Sequence, residues 1–398
     1  MINWNKRPDE MEEEYIYRIG LAKEQIGSWQ DVADILNEQL GHEYTESKYR
    51  KQFQTFQKML AANQRTIDTS CFVDDLTEKT AEYEKAAQKY RDQRNAYTAH
   101  LREEARRENV FDLLRESADR LADLRPLTAS VKASETGDDE LVVVLSDWHY
   151  GMKTENIWNR YNKEVFWHRC GELLTETEKI VLSVNPAVLH VVLLGDMCHG
   201  AIHTSARVES DEHVSTQLME VSEYLADFIA HLANMVTYTD VYCTYGNHMR
   251  AVQNKKDSIH EDNFEKIIPW WLTARFDRRD DIHVINDPDN YEFIMFNACG
   301  RRFCATHGDL DSVKGSGKVL NTLFAKKFGS TIDYLILGDK HHEETLSGTG
   351  IRTIGVGSLC GTDDYGNTNR LYDTPSQTVF HLKPGKGIYA TYNIELND

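Results

Sequence analysis

The first 125 residues carry apolar side chains at helical spacing. Met11, Tyr15, Ile19 and Ala22 form one stripe. Ser28 is placed to cap a second helix, and Asp31 three positions later closes a capping box. Trp29, Val32, Ile35, Leu36 and Leu40 make the apolar face of that helix, and Gly41 suits its end. After the turn His42-Glu43-Tyr44, Thr45 caps a third helix. In it Tyr49, Phe53, Phe56 and Leu60 fall at i, i+4, i+7 and i+11. From 75 to 125 the pattern continues as helix. Leu76, Tyr83, Tyr90 and Tyr97 recur every seven residues, which reads either as a helical spacer or as a coiled coil between two copies.

The period changes at Leu141. Five short apolar runs follow, LVVVL (141–145), VLHVVLL (188–194), DVYCTY (240–245), RRFCAT (301–306) and DYLIL (333–337). Runs this short, bounded by Gly and Asp, read as buried strands. Each ends in residues able to ligate a divalent metal: Asp147-Trp148-His149, Gly195-Asp196, Gly246-Asn247-His248, His307-Gly308 and Gly338-Asp339-Lys340-His341. Ligands at several strand ends converge at the edge of a sheet, where open sheets place their sites. Asp147 and His149, two apart in an extended segment, are expected to point the same way. The chain therefore divides into a helical module at 1–70, a long helix at 71–125, a small and polar linker at 126–140, and an α/β domain at 141–398.

Charge sharpens this division. The 398 residues hold 45 Lys and Arg against 64 Asp and Glu, a net charge of −19, which excludes nonspecific coating of nucleic acid or of an anionic membrane by the whole surface. Residues 1–130 account for −5 and the remainder for −14, and 14 of the 16 histidines follow residue 130. An acidic, histidine-rich second part is what a divalent-metal enzyme needs. No apolar run reaches the ~18 residues of a membrane span. The opening MINWNKRPDEMEEE lacks a basic-then-apolar leader, and the seven cysteines are scattered without CxxC, so the expected location is cytoplasmic.

One stretch runs against the acidic balance. Between Ser47 and Ile67 there are five Lys or Arg and no acid. Lys48, Arg50, Lys51, Gln52 and Lys58 lie on or beside the polar face of the third helix. Helix, short turn and basic helix resemble a helix-turn-helix, whose second helix would meet DNA. An ordinary helical hairpin with a solvated face has the same pattern.

The ordered series of five motifs resembles the calcineurin-like metallophosphoesterase superfamily over roughly residues 140–398. The repair-exonuclease branch is the nearest architecture, and a phage-borne relative with its own helix-turn-helix would have this layout. The resemblance implies a β-sandwich flanked by helices and two divalent ions, Mn²⁺ first and Mg²⁺ or another divalent ion second. It implies Asp147, His149, Asp196 and His341 at the first ion. Asp196 would bridge to a second ion held also by Asn247, His307 and the residue at 339. His248 would be the catalytic histidine.

Two positions depart from the family pattern. Asp339 replaces a histidine; an anionic, harder ligand favours Mn²⁺ or Mg²⁺, and His342 is the alternative ligand. Met249-Arg250 follow Gly-Asn-His where an acid is common, and Arg250 could grip a phosphate bidentately. Hydrolysis of a phosphodiester needs a nucleophile at neutral pH and relief of phosphoryl charge, which two ions roughly 3.5–4 Å apart supply. The expected function is a metal-dependent phosphodiesterase, foremost a DNA nuclease. A small-molecule phosphatase or cyclic-nucleotide phosphodiesterase, or a DNA-binding regulator with a degraded site, are the alternatives. DNA is the expected partner, with a homodimer through the long helix and a partner ATPase by analogy. His199 and His203 are expected in outer or surface roles, and Gly315-Ser316-Gly317-Lys318 as a flexible loop.

Overall fold

The computed structural model describes residues 4–66, 70–121, 124, 127–128, 137–200, 202, 210–252, 262–286 and 292–396. His203 and most of the predicted linker lie outside them. The chain forms two compact units, 1–98 and 99–398, with the division falling inside one long helix.

The first unit opens with α1 (Glu12–Leu21), α2 (Lys23–Ile26), α3 (Trp29–Leu40) and α4 (Glu46–Thr66). Its core is Tyr15, Ile16, Ile19, Val32, Ala33, Leu36 and Tyr49. Tyr15 and Ile19 of the first stripe are buried as expected and Ile16 joins them, whereas Met11 is exposed. The capping box forms as the sequence dictates, Asp31 N–H donating to Ser28 Oγ at 3.2 Å and Ser28 N–H to Asp31 Oδ2 at 2.7 Å. Gly41 ends α3 in the left-handed conformation at φ 69°. Among the described side chains of α4 only Tyr49 and Phe53 are buried, and Leu60 is exposed. α5 (Ser70–Leu121) is one helix of 52 residues, on which Leu76, Tyr83, Tyr90 and Tyr97 are all exposed.

The second unit is a sandwich of two mixed sheets flanked by helices. One sheet has six strands in the order β13 (Gly387–Glu395), β12 (Ser376–Lys383), β1 (Glu140–Leu145), β4 (Val188–Leu193), β5 (Tyr238–Cys243), β6 (Ile282–Ile285). The other has β10 (Glu344–Gly348), β11 (Ile351–Gly355), β9 (Tyr334–Leu337), β8 (Arg301–Thr306) and β7 (Ile294–Ala298). β1, β4, β5 and β6 are parallel, as are β11, β9 and β8. A short hairpin, β2 (Thr154–Glu155) and β3 (Arg160–Tyr161), follows β1.

The run LVVVL is continuous because both of its faces are buried. Val142 and Val144 pack between the sheets with Phe296, Phe303, Ile336 and Phe380. Leu141, Val143 and Leu145 pack against helix residues such as Phe166 of α6 (Lys163–Val184) and Leu225 of the helix Val214–Ala233. The polar residue inside VLHVVLL is satisfied there: His190 Nε2 meets Glu140 Oε2 at 3.0 Å.

Two expectations are corrected. Gly315-Ser316-Gly317-Lys318 opens a helix, Ser316–Phe328, instead of a flexible loop. A Cβ on Gly317 would lie 2.2 Å from Thr353 Oγ1, so glycine is what lets this helix seat on β11. The five motif strands also do not share one sheet. β1, β4 and β5 belong to one and β8 and β9 to the other, a partition that residue periodicity does not encode. Among the described residues no helix is long and apolar enough to cross a membrane.

Candidate metal centre

The loops after β1 and β4 are joined backbone to backbone. Asp147 N–H donates to Gly195 O at 3.2 Å, His149 N–H to Asp196 O at 2.9 Å and Tyr150 N–H to Met197 O at 3.0 Å. Asp147 and His149 are not extended, which corrects the expectation above: their φ values are 52° and 45°. Asp196, Asp339 and His341 are likewise left-handed, at 53°, 60° and 57°. Five of the nine non-glycine residues with positive φ among those described are thus sequence-predicted ligands. Such backbone costs roughly 1–3 kcal/mol per residue and persists where surrounding structure enforces it. Glycine makes the enforcement possible. A Cβ on Gly246 would sit 2.0 Å from Asp196 Oδ1 and 2.3 Å from its nitrogen.

These turns bring together Asp147, Asp196 and His307, whose ligand atoms lie within 4.8 Å of one another and are all buried. His307 Nε2 is 3.3 Å from Asp196 Oδ2 and 3.7 Å from Asp339 Oδ1. Asn247 Nδ2 donates to Asp339 Oδ1 at 3.3 Å. His341 Nε2 is 3.4 Å from Asp147 Oδ1, and His149 Nε2 is 3.7 Å from the same oxygen. All seven predicted ligands therefore lie in one connected cluster. Asp339 is in contact with Asn247 and His307, whereas His342 turns its Nδ1 to Lys340 O at 2.6 Å.

The donor set fits a metal ion. His307 Nδ1 faces Leu194 O at 2.8 Å, so that nitrogen carries a proton and Nε2 is the ring atom turned to Asp196. Burial would lower the His307 imidazole, but the Asp196 carboxylate outweighs it and raises the imidazole well above its usual range. Nε2 of His307 and Oδ1 of Asp147 are buried and make no hydrogen bond among the described residues. Burial opposes ionisation of Asp147, but His341, His307 and His149 outweigh it and hold the carboxyl at about 2. Burial would lower His341, while Asp147 beside it raises it to about 9. Burial and the neighbouring His248 push His149 well below its usual range, leaving a neutral imidazole suited to ligation. Burial raises Asp339, against His307.

His248 is placed by two contacts. Its N–H donates to Asp196 Oδ1 at 2.8 Å, and its Nδ1 faces His199 O at 3.0 Å. Its Nε2 is 4.0 Å from Asp196 Oδ2. Arg250 takes a different position from the one expected of a phosphate grip. It donates from Nε to Val252 O at 3.2 Å and from its guanidinium to Asn247 O at 2.8 Å. Lys48, Lys51, Gln52 and Lys58 lie exposed on α4 in the first unit, and Arg50 is paired with Glu46 at 3.7 Å.

Two participants, Cys360 and Glu265, escaped sequence reasoning, and His199 was expected only in an outer or surface role. Cys360 joins His149 and His341 in one cluster, and His199 joins His149 and His248 in another. Glu265 is a buried carboxylate under the loops after β4 and β5, pushed up to about 7 by burial and by Asp196 against the pull of backbone amides. A lone Cys and a lone Glu carry no spacing signal. The cluster opens into a cavity of about 1040 Å³ that is also lined by Lys153, Lys340, Arg370 and Tyr372.

A family model described as the YonJ N-terminal domain matches residues 1–68. Along its whole length the chain is 21% identical over 408 residues to the SPbeta prophage-derived uncharacterized protein YonJ of Bacillus subtilis (strain 168), covering 100% of this chain and 99% of that protein. Among solved structures it is similar to a novel archaeal phosphodiesterase, with 14% identity over 64% of this chain and 99% of that one at a TM-score of 0.32. It is also similar to wild-type Vps29 complexed with Zn²⁺ from Entamoeba histolytica, with 14% identity over 64% and 99% at 0.29.

Proposed function

We propose that this chain is a metal-dependent phosphodiesterase of the calcineurin-like type whose substrate is DNA. The observation that carries the reading is the buried meeting of Asp147, Asp196 and His307, drawn from three strand-end motifs on two sheets. Around it His149 and His341 stand beside Asp147, Asp339 stands beside His307, and Asn247 stands beside Asp339. Asp147, His149, Asp196 and His341 would hold one ion, and Asp196, Asn247, His307 and Asp339 a second. When bound, two divalent ions supply an acidified water and a clamp on the phosphoryl oxygens.

The protein's own part is positional. His248 is fixed through Nδ1–H on the His199 carbonyl, which leaves Nε2 as the ring atom that passes a proton to the departing oxygen. Arg250 fastens the turn that carries Asn247 and His248. Lys48, Arg50, Lys51, Gln52 and Lys58 give the first unit a basic face for DNA, and the prophage name of the full-length relative supports a phage-borne origin.

A second reading is favoured by the cavity rim. Asp309, Asp363, Asp364 and Asp373 line it in addition to the ligand set. These carboxylates oppose a polyanion and suit a compact ester. The deciding experiment is a Mn²⁺-dependent assay on linear, nicked and single-stranded DNA beside a generic bis-ester. Cleavage of DNA supports the first reading. Turnover of the ester alone, under every metal tried, replaces it with the second. Turnover surviving His149→Ala together with Asp196→Ala overturns both.

A further inference from the structure

We infer that Glu265 is the positioning residue of the metal centre, a single carboxylate that fixes both loops carrying Asp196, Asn247 and His248. Glu265 is 2% exposed and lies outside every motif. Its Oε2 accepts from Asp196 N–H at 3.0 Å and Gly246 N–H at 2.7 Å. Its Oε1 accepts from Met197 N–H at 2.6 Å and Cys198 N–H at 3.3 Å. A carboxylate has about four lone-pair directions on two oxygens, and here four backbone amides fill them. Three come from the loop after β4 and one from the loop after β5.

The carboxylate is itself held by the chain around it. Glu265 N–H donates to Asn263 Oδ1 at 2.9 Å, and Asn263 Nδ2 donates to Gly246 O at 2.7 Å. Phe264 N–H donates to Met249 O and Ala251 N–H to Asp262 O, both at 2.9 Å. Residues 262–264 therefore run antiparallel to 249–251 and deliver Glu265 beneath the two loops. Both loops need an external acceptor. Asp196 is left-handed, so the amides that follow it turn away from the strand ladder. The two residues directly after His248 are Met249, which is buried, and Arg250, so no acid adjoins it there. Replacing the carboxylate by an amide of equal size puts an NH₂ against two of the four donors, either Asp196 and Gly246 or Met197 and Cys198, and loosens the loop after β4 in both cases.

This inference rests on the metal site of the proposed function and not on its substrate. The test uses the full chain. Mn²⁺ affinity of wild type and Glu265→Gln is measured by calorimetric titration, with circular dichroism confirming that each is folded at the assay temperature. Loss of a group that orients metal ligands weakens metal binding about 10- to 100-fold, and that is the expected result. Affinity within twofold of wild type overturns the inference, whatever happens to the melting temperature. A second arm needs no variant. Hydrogen exchange of the metal-free wild type should show peptides spanning 196–198 and 246 as strongly protected as strand β4, and exchange at loop rates overturns the inference. A wild type that binds Mn²⁺ and cleaves no DNA removes the proposed substrate and leaves Glu265 in place. A wild type that binds no Mn²⁺ removes the proposed function, and the exchange arm still decides the role of Glu265.

Discussion

His307 Nε2 stands 3.3 Å from Asp196 Oδ2, and solvent reaches neither side chain appreciably. A buried imidazole and a buried carboxylate facing each other with a second carboxylate, Asp147, within 4.8 Å make a pocket that a cation completes. Adding Mn²⁺ to the wild type should raise its melting temperature and EDTA should reverse the rise. At about 100 times the dissociation constant the gain is about 2.7 kcal/mol. Asp196→Asn should remove most of this shift in a thermal-denaturation series, and an unchanged shift would place the ion elsewhere.

Asp339, as a proposed ligand of the second ion, is expected to set metal preference. It lies 3.7 Å from His307 and takes a hydrogen bond from Asn247. Asp339→His trades an anionic oxygen for imidazole and should move the order of effective metals from Mn²⁺ and Mg²⁺ toward Zn²⁺ and Ni²⁺. Metal-resolved activity profiles of the two proteins check this, and identical profiles would remove Asp339 from the second ion's ligands.

Gly246 has no room for a side chain. A Cβ there would meet Asp196 Oδ1 at 2.0 Å. Gly246→Ala should cost roughly 1–3 kcal/mol by overpacking and should weaken Mn²⁺ binding along with it. Denaturant titration and calorimetry on one preparation test both, and a variant that keeps full metal affinity would show that the two loops separate without consequence.

The basic face of α4 predicts a salt-dependent effect. Lys51 and Lys48 are both exposed, Lys48 with its ammonium over the Tyr44 ring. Replacing both with Ala should weaken DNA binding uniformly across sequences and reduce the salt slope by about 0.9 for each phosphate that is no longer neutralised. Fluorescence anisotropy at several salt concentrations measures it, and an unaltered slope would make the helix a spacer.

Acid sensitivity of the first unit should trace to Glu10. Its hydrogen bonds with Arg18, at 2.6 and 2.8 Å, outweigh partial burial and hold its carboxyl down at about 2. A folded value below the unfolded one gives stability that is present above about 4.5 and lost as pH falls toward about 2. Protection of the α1 amides, corrected for intrinsic exchange, should fall through that window in wild type and be flat in Glu10→Gln.

Much of the candidate metal centre was legible because each predicted ligand follows a short apolar run bounded by Gly or Asp, as after β1 and β4. The helical caps were legible for a local reason: Ser28 and Asp31 bond to each other's backbone without tertiary help. What escaped was set by tertiary structure. The left-handed turns at Asp147 and His149 exist because the loops after β1 and β4 hydrogen-bond to each other, and strand periodicity predicts the opposite. Glu265 and Cys360 reach the centre from distant segments. The helix at Ser316 depends on Gly317 lying against Thr353, a contact between residues far apart in the chain.

The left-handed turns have a further consequence for anyone breeding this protein for heat tolerance. At positions 147, 149, 196, 339 and 341 glycine relaxes the backbone that the present side chains strain. Selection for folding alone would therefore collect substitutions at the very residues proposed to hold the ions, and the hardiest survivors would be the ones least able to bind them.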